Sequence, residues 1–218
     1  MKNKKTLYHF VLDKSGSMSN CVESTINGFN TQLDTIKSLQ KEFPEQEFKA
    51  SLTIFDNHVE AVFSQVGVEE FTKLNYKNYY PNGSTALLDA IGISINEIRI
   101  KNESKIISDE MSVVMVILTD GMENASRQFT YHQIAATIKS LEATEKWTFT
   151  FLGADIDAMH TSKMLNIREE NVISFDKGDM NSMMNDVSEG MRHYSNSKHQ
   201  GNTKRDFLDF IPNKDRRK

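Results

Sequence analysis

The feature that most constrains this chain is a run of six consecutive apolar residues at 113–118, Val-Val-Met-Val-Ile-Leu. A strand with one side in solvent alternates apolar and polar residues, whereas an unbroken, β-branched run is typical of a strand that is covered on both faces. Strands of that kind occur in parallel sheets that have helices on either side. The run therefore predicts the buried central strand of an α/β fold.

Strand-like and helix-like segments alternate along the rest of the chain. Further strands are predicted at 7–12, 147–152 and 172–175, and helices at about 20–41, 130–145, 157–165 and 179–195, with one more helix carrying Leu88, Ile91, Ile95 and Ile98. Between 48 and 63 the apolar period changes to two on either side of turn residues, which predicts a hairpin. We therefore predict a doubly wound, mostly parallel six-stranded sheet with one antiparallel edge strand and helices on both faces.

Composition excludes several kinds of site. The chain has 26 Lys+Arg and 30 Asp+Glu, a net charge of −4, so its charge gives no reason to expect binding to nucleic acid or to an anionic membrane. Its single cysteine, Cys21, excludes an internal disulfide and a cysteine-based zinc site. No apolar run approaches the roughly 20 residues that cross a bilayer, and no signal peptide is indicated. We expect a cytoplasmic protein that is a monomer by itself.

The domain organisation predicted from the sequence is a single domain over 1–195 followed by a polar, basic tail over 196–218. The tail contains one apolar patch at 207–211, Phe-Leu-Asp-Phe-Ile. We expect the tail either to be disordered or to dock this patch on the body or on a partner. The methionine stripe of the last helix, at 180–191, has amphipathic spacing and is predicted to be core.

Carboxylate and hydroxyl side chains stand where the predicted strands end and a helix begins. Asp13, Ser15 and Ser17 follow the first strand, Asp120 follows the central strand, and Thr85 comes directly before the second amphipathic helix. Taken singly, such residues are explained equally well as helix caps. Taken together they share the carboxyl edge of a parallel sheet, where ligands bind. Two carboxylates in one crevice repel unless they are protonated or bridged by a cation.

This set resembles the metal-ion-dependent adhesion site of the von Willebrand factor type A (vWA) family. That site combines an Asp-x-Ser-x-Ser motif, a threonine from a distant loop, and an aspartate usually followed by glycine, and Asp13, Ser15, Ser17, Thr85 and Asp120 match all of its positions. The resemblance covers about 5–195. In overall character the chain is most similar to compact, stand-alone prokaryotic and phage members, including those associated with tellurite resistance.

The resemblance implies a metal-dependent protein-interaction module that has no catalytic activity. It implies a bound Mg²⁺ or Mn²⁺, coordinated directly by the hydroxyls and often through water by the aspartates, with a partner protein's Asp or Glu carboxylate completing the octahedron. Such a module would be an adaptor. Its partners would be proteins of the kind encoded in stress-response gene clusters. The loops beside the site carry side chains that either contact the partner at its rim or pack the loops, namely Tyr76, Tyr79, Tyr80, Glu123 and Asn124.

Two other functions remain open. One is a magnesium-dependent phosphohydrolase with Asp13 as nucleophile, although Ser15 stands where such enzymes place their general acid, and a serine cannot act in that role near pH 7. Neither a phosphate-binding Gly-x-x-x-x-Gly-Lys loop nor a Gly-x-Ser-x-Gly elbow is present. The other is a structural subunit with a vestigial site. Either of two arrangements would end the case for a metal site: Asp13 and Asp120 far apart, or the crevice between them plugged by a lysine.

Overall fold

The computed structural model describes residues 5–154, 158–202 and 206–212. Asp155 and Asp157, for which the sequence favours turn or capping roles, lie outside the described residues, as does the end of the predicted tail at 213–218. Among the described residues, no helix has both the length and the apolar character that spanning a bilayer requires.

Six strands and five helices alternate along the described residues. In chain order they are β1 Lys5–Asp13, α1 Val22–Glu42, β2 Glu47–Phe55, β3 Val59–Gly67, α2 Leu87–Ile107, β4 Met111–Thr119, α3 Tyr131–Glu142, β5 Trp147–Ala154, α4 Ala158–Met164, β6 Val172–Phe175 and α5 Met180–His199. The strands form one sheet in the order β3-β2-β1-β4-β5-β6. Only β3 is antiparallel to its neighbour in this sheet. The predicted fold class is confirmed.

The centre of the sheet is covered on both faces, as the apolar run at 113–118 predicts. Alternate residues of β4 face opposite cores: Val114 and Val116 pack with α1 and α5, while Met115 and Ile117 pack with α2, α3 and α4. The chain leaves β1 toward β2 on one side of the sheet and returns to β4 on the other. This reversal of strand order opens a crevice at the carboxyl ends of β1 and β4, where ligands bind in open α/β sheets.

The last helix and the segment after it both contribute to the core. The methionine stripe of α5 is buried, which confirms the prediction for 180–191. The helix continues beyond residue 195, where we placed the start of the tail, to His199. Phe207, Leu208 and Ile211 are buried in the same core layer as α5, and the amide of Phe207 donates to Asn171 Oδ1 over 2.7 Å. The apolar patch of the tail therefore docks on the body.

Candidate metal centre

The two aspartates singled out from the sequence lie at the crevice between β1 and β4. Asp13 is the last residue of β1, and Asp120 follows the last residue of β4, Thr119. Because β1 and β4 are parallel neighbours, both carboxylates reach the same edge of the sheet. Both aspartates are buried. Two carboxylates in this setting create a local excess of negative charge that needs a compensating cation or proton.

The two serines of the first loop connect the aspartates. The amide of Ser15 donates to Asp13 Oδ1 over 2.6 Å, which folds the loop back onto the end of β1. The hydroxyls of Ser15 and Ser17 lie 3.1 Å apart, and Ser17 Oγ donates to Asp120 Oδ1 over 2.5 Å. The end of β1 and the first loop therefore supply three oxygen-bearing side chains, those of Asp13, Ser15 and Ser17. Hydrogen bonds through the two serines connect Asp13 with Asp120.

Thr85 reaches the same place from the loop before α2. A Cβ atom placed on Gly121 would lie 2.7 Å from Thr85 Oγ1 and 3.6 Å from Asp13 Oδ2, so both oxygens border this glycine. The loop is joined to the first one by the amide of Gly16, which donates to Gly83 O over 3.0 Å. It is joined to the loop after β4 by Asn124, whose Oδ1 accepts from the amide of Thr85 over 2.9 Å. Three separate loops thus converge on one small volume.

Burial and charge perturb the acid–base behaviour of Asp13. Burial raises the pKa of Asp13 to about 6, even though hydrogen bonds from Thr119 Oγ1 and from Ser15 act in the opposite direction, and the charge of Asp120 adds to the rise. Thr119 Oγ1 donates to Asp13 Oδ2 over 2.5 Å, so both carboxylate oxygens of Asp13 accept hydrogen bonds. Thr119 has no assigned role in the sequence-based site, although it directly precedes Asp120.

The three tyrosines expected at the rim divide into two kinds. Tyr76 and Tyr80 are 62% and 73% exposed, as rim residues must be. Tyr79 is 1% exposed, and its hydroxyl donates to Asp13 O over 2.5 Å. It is therefore not accessible to a partner, because its ring fills the core beneath the loop and its hydroxyl satisfies the carbonyl at the end of β1. Burial raises the pKa of Tyr79 well above its ordinary value.

The two rim candidates after Gly121 both hold loops together. Asn124 is exposed, but its side chain fixes Thr85, as described above. Glu123 accepts hydrogen bonds from the amide of Leu88 over 2.9 Å, in the first turn of α2, and from the amide of Ser126 over 2.7 Å. These contacts correspond to the packing alternative that we left open for the pair.

A second acidic side chain fixes the loop after β4 onto α2. Asp89, in the first turn of α2, is buried and accepts hydrogen bonds from three consecutive backbone amides, those of Arg127, Gln128 and Phe129, at 2.9 to 3.0 Å. Our sequence analysis did not identify Asp89. Its position in the first turn of a helix does not indicate that backbone amides of a distant loop donate to its carboxylate.

A lysine occupies part of the crevice. Lys177 lies in a short 3-10 turn, Lys177–Asp179, that follows β6. Its Nζ is 2.7 Å from Asp120 Oδ2 and 3.3 Å from Ser17 O. The side chain of Asp120 has no solvent exposure, and Oδ2 accepts no well-directed hydrogen bond, so the ion pair is its compensation. We took a lysine that plugs the crevice as the arrangement that would end the case for a metal site, and Lys177, on Asp120 and Ser17, meets that arrangement in part.

The donor set itself fits a hard divalent cation. It consists of two carboxylates and three hydroxyls, and oxygen ligands of this kind suit Mg²⁺ and Mn²⁺. One of these donors, Asp120 Oδ2, has among the described residues only the Lys177 ion pair and no hydrogen bond, and a position without a side chain, Gly121, lies beside Thr85 Oγ1 and Asp13 Oδ2. Within the described ranges no group of three or more His, Cys, Asp or Glu residues could hold a metal, so a cation held here would need the hydroxyls as well as the two carboxylates.

Comparisons with known proteins establish the fold. The chain matches no protein-family model and no curated protein. Among solved structures, it resembles the von Willebrand factor domain of the type V pili tip protein Mfa5 from Porphyromonas gingivalis, with a TM-score of 0.63 and 8% identity over 88% of this chain and 96% of that one. The manganese-loaded TRAP protein of Plasmodium vivax has a TM-score of 0.57 and 14% identity, covering 84% and 73% of the two chains.

A third similar structure is the proximal thread matrix protein 1 of the mussel byssus, solved with a zinc-occupied metal-ion-dependent adhesion site. Its TM-score is 0.57 and its identity 16%, over 86% of this chain and 46% of that chain, so this chain spans about half of its length. The fold is that of a vWA domain, and identities of 8 to 16% carry that conclusion alone.

Proposed function

We propose that this protein is a metal-dependent protein-interaction module whose site is held by Asp13, Ser15, Ser17, Thr85 and Asp120. The observation that carries the proposal is the convergence of these five oxygen-bearing side chains, from three loops, on the crevice between β1 and β4. Two buried carboxylates at one crevice need positive charge, and a divalent cation supplies it with the oxygen ligands that it prefers.

The neutral hydroxyls determine what such a site does. When bound, Mg²⁺ or Mn²⁺ supplies a Lewis-acidic coordination position for a carboxylate oxygen of a partner protein. Ser15, Ser17 and Thr85 contribute no charge, so they leave the negative charge of the site low and favour an incoming anion. Tyr76 and Tyr80 are exposed in the loop from which Tyr79 contacts Asp13, and they offer aromatic area for contact with that partner.

The site does not favour hydrolysis. Both carboxylate oxygens of Asp13 accept hydrogen bonds, Oδ1 from the amide of Ser15 and Oδ2 from Thr119 Oγ1, and these bonds reduce the nucleophilicity of the group. The hydroxyl of Ser15 pairs with that of Ser17 and is no general acid. We therefore propose a binding protein without catalytic activity of its own.

The proposal also covers the class of ligand, the class of partner and the location of the protein. The zinc-occupied site of the mussel protein and the manganese-loaded form of the Plasmodium protein support a divalent cation as the kind of ligand. The net charge of −4 supports a protein partner rather than nucleic acid or an anionic membrane. We propose a cytoplasmic adaptor, monomeric by itself and similar to the stand-alone tellurite-resistance-associated members of the family, with a role in stress response.

A second candidate is a metal-free interaction module with a vestigial site. The ion pair between Lys177 and Asp120 favours it, because the lysine already compensates one of the two buried carboxylates. Under this alternative, the ammonium group of Lys177 would compensate Asp120 permanently, and no metal would bind.

Thermal unfolding with added Mg²⁺ or Mn²⁺, against EDTA, tests the proposal. A ligand at 100 times its Kd stabilises the folded state by about 2.7 kcal/mol, so the Tm of the wild type should rise with metal. Thr85→Val keeps the shape of the side chain but removes a proposed ligand, and its metal-dependent shift should be much smaller. A wild-type Tm that does not respond to millimolar metal, together with the same result after Lys177 is replaced, would favour the metal-free candidate.

Capture of partners then tests the interaction. A pull-down from native lysate should retain a partner with Mg²⁺ and release it with EDTA, and Thr85→Val should reduce the amount retained. Retention that is equal in both buffers would contradict a metal-dependent contact.

A further inference from the structure

We propose that Lys177 is an internal competitor for the cation, which holds Asp120 in the metal-free protein and must withdraw before a divalent ion binds. This inference rests on the proposed function and deepens it, because it assigns a residue that sets how much metal the site requires. Lys177 is no part of the vWA motif that the sequence matches.

The first step of the argument is the position of the ammonium group. Ser17 Oγ donates to one carboxylate oxygen of Asp120, and Lys177 Nζ lies 2.7 Å from the other. The same Nζ donates to Ser17 O, so the lysine contacts two of the residues that would surround the cation. Lys14, the lysine nearest to the site in sequence, is directed elsewhere and pairs with Asp56 and Glu60.

The second step is electrostatic. Asp120 is fully enclosed, so an unpaired charge on it would be costly, and the ammonium compensates it when no metal is bound. A divalent ion at the same carboxylate would stand a few ångströms from the ammonium, and like charges at that separation repel strongly in a partly buried site. Lys177 and the metal therefore exclude each other, rather than binding side by side.

The third step is that the lysine is able to leave. Its side chain is 22% exposed and so borders solvent, and a lysine carries a strongly hydrated charge on a flexible stem that can turn outward. Metal binding then depends on the fraction of molecules in which Lys177 has withdrawn, and the apparent Kd is the intrinsic Kd divided by that fraction. Lys177 thus raises the concentration of free cation at which the site becomes loaded.

Titration calorimetry with MgCl₂ and MnCl₂ tests this competition on the full chain. Lys177→Met removes the ammonium and should lower the apparent Kd for both ions by about tenfold or more. Lys177→Arg keeps a cation and should stay much closer to the wild type than Lys177→Met does. Lys146→Met is a matched control, because Lys146 has a similar exposure, 23%, and likewise contacts an aspartate and a backbone carbonyl, at 3.7 and 2.9 Å. The control should bind metal as the wild type does.

Thermal unfolding of the same variants provides the second readout. Without metal, Lys177→Met should melt below the wild type, because Asp120 loses its compensating charge, and the rise of its Tm with Mg²⁺ should exceed that of the wild type. If Lys177→Met proves poorly folded in EDTA, Lys177→Gln, which keeps polar contact without the charge, replaces it in both measurements.

The outcomes separate this inference from the proposed function. Tighter metal binding by the neutral variants, with Lys146→Met unchanged, supports the competition. Equal affinity of the wild type and the neutral variants overturns the competition but leaves metal binding intact. If neither the wild type nor any neutral variant binds Mg²⁺ or Mn²⁺, the proposed function fails, and the competition fails with it.

Discussion

At the scale of single residues, Gly121 is the position where a small change should most directly disturb the site. A Cβ atom there would lie 2.7 Å from Thr85 Oγ1, closer than real Cβ contacts, so Gly121→Ala must displace this hydroxyl. We expect metal affinity to fall about 10- to 100-fold, as when the support of a ligand is lost. Overpacking should lower the free energy of unfolding by about 1–3 kcal/mol. Calorimetry and urea unfolding measure the two effects.

Gly67→Ala is the control for that substitution. The backbone of Gly67 has an ordinary φ of −75°, and the nearest atom to an added Cβ is 3.9 Å away. Both metal affinity and stability should remain close to wild type. If Gly121→Ala binds metal as tightly as Gly67→Ala does, Thr85 does not belong to the cation site.

The sequence predicted that these five oxygen-bearing side chains meet at one edge of the sheet, but not that the ammonium group of Lys177 contacts one of them. Asp13 and Asp120 could be paired because the ends of parallel strands share an edge, which is a property of the fold. The contact with Lys177 depends instead on the path of one turn after β6 and on a flexible side chain. Tyr79 shows the same limit, because nothing in its spacing from Tyr76 and Tyr80 indicates which ring turns inward.

At the scale of secondary-structure elements, apolar periodicity predicted the helices and strands and left their ends imprecise. β3 continues to Gly67, beyond the predicted end of the hairpin at 63, through an irregular register with β2. Gln65 takes a positive φ of 57° there, and its amide donates to the side chain of Ser51. A residue in that conformation interrupts the two-residue alternation of apolar and polar side chains. The alternation therefore ends at 63, although the strand continues to Gly67.

The last turn of α5 docks on the start of β1 and β4 through Lys198. Its Nζ donates to Lys5 O, Thr6 Oγ1 and Ser112 Oγ at distances of 2.7 to 3.1 Å. Burial lowers the pKa of Lys198 to about 7. In the unfolded chain a lysine holds its proton up to about pH 10.4. Between these values the unfolded state binds more protons, so the free energy of unfolding should rise with pH.

Lys198→Met removes this dependence. We expect the difference in unfolding free energy, wild type minus variant, to increase from about pH 7 to about pH 10, because only the wild type gains from releasing the proton in the folded state. Urea unfolding at a series of pH values measures the difference. Lys146→Met, directly before β5, should follow the wild type. Parallel curves for the wild type and Lys198→Met would mean that Lys198 stays charged in the folded protein.

At the scale of the whole molecule, the core extends past the boundary that composition indicates. A polar, basic segment predicts a tail because too few apolar residues are present to form a core of their own. The patch at 207–211 instead completes an existing core, since Phe207 packs on Gly190 and on the ring of Tyr194. Composition describes what a segment can bury by itself, and it does not indicate that the preceding helix, α5, offers an apolar surface on which the segment can pack.

Phe207→Ala tests whether this segment stabilises the domain. The ring is fully buried, so its removal should lower the free energy of unfolding by about 3–4 kcal/mol, and the Tm by roughly 10 °C for a chain of this size. Phe210→Ala is the matched control, because Phe210 is half-buried and stacks on His193 with ring centroids 4.6 Å apart. It should cost only about 1 kcal/mol. If both substitutions cost the same small amount, the segment lies on the domain without stabilising it, and a boundary near 195 would be justified.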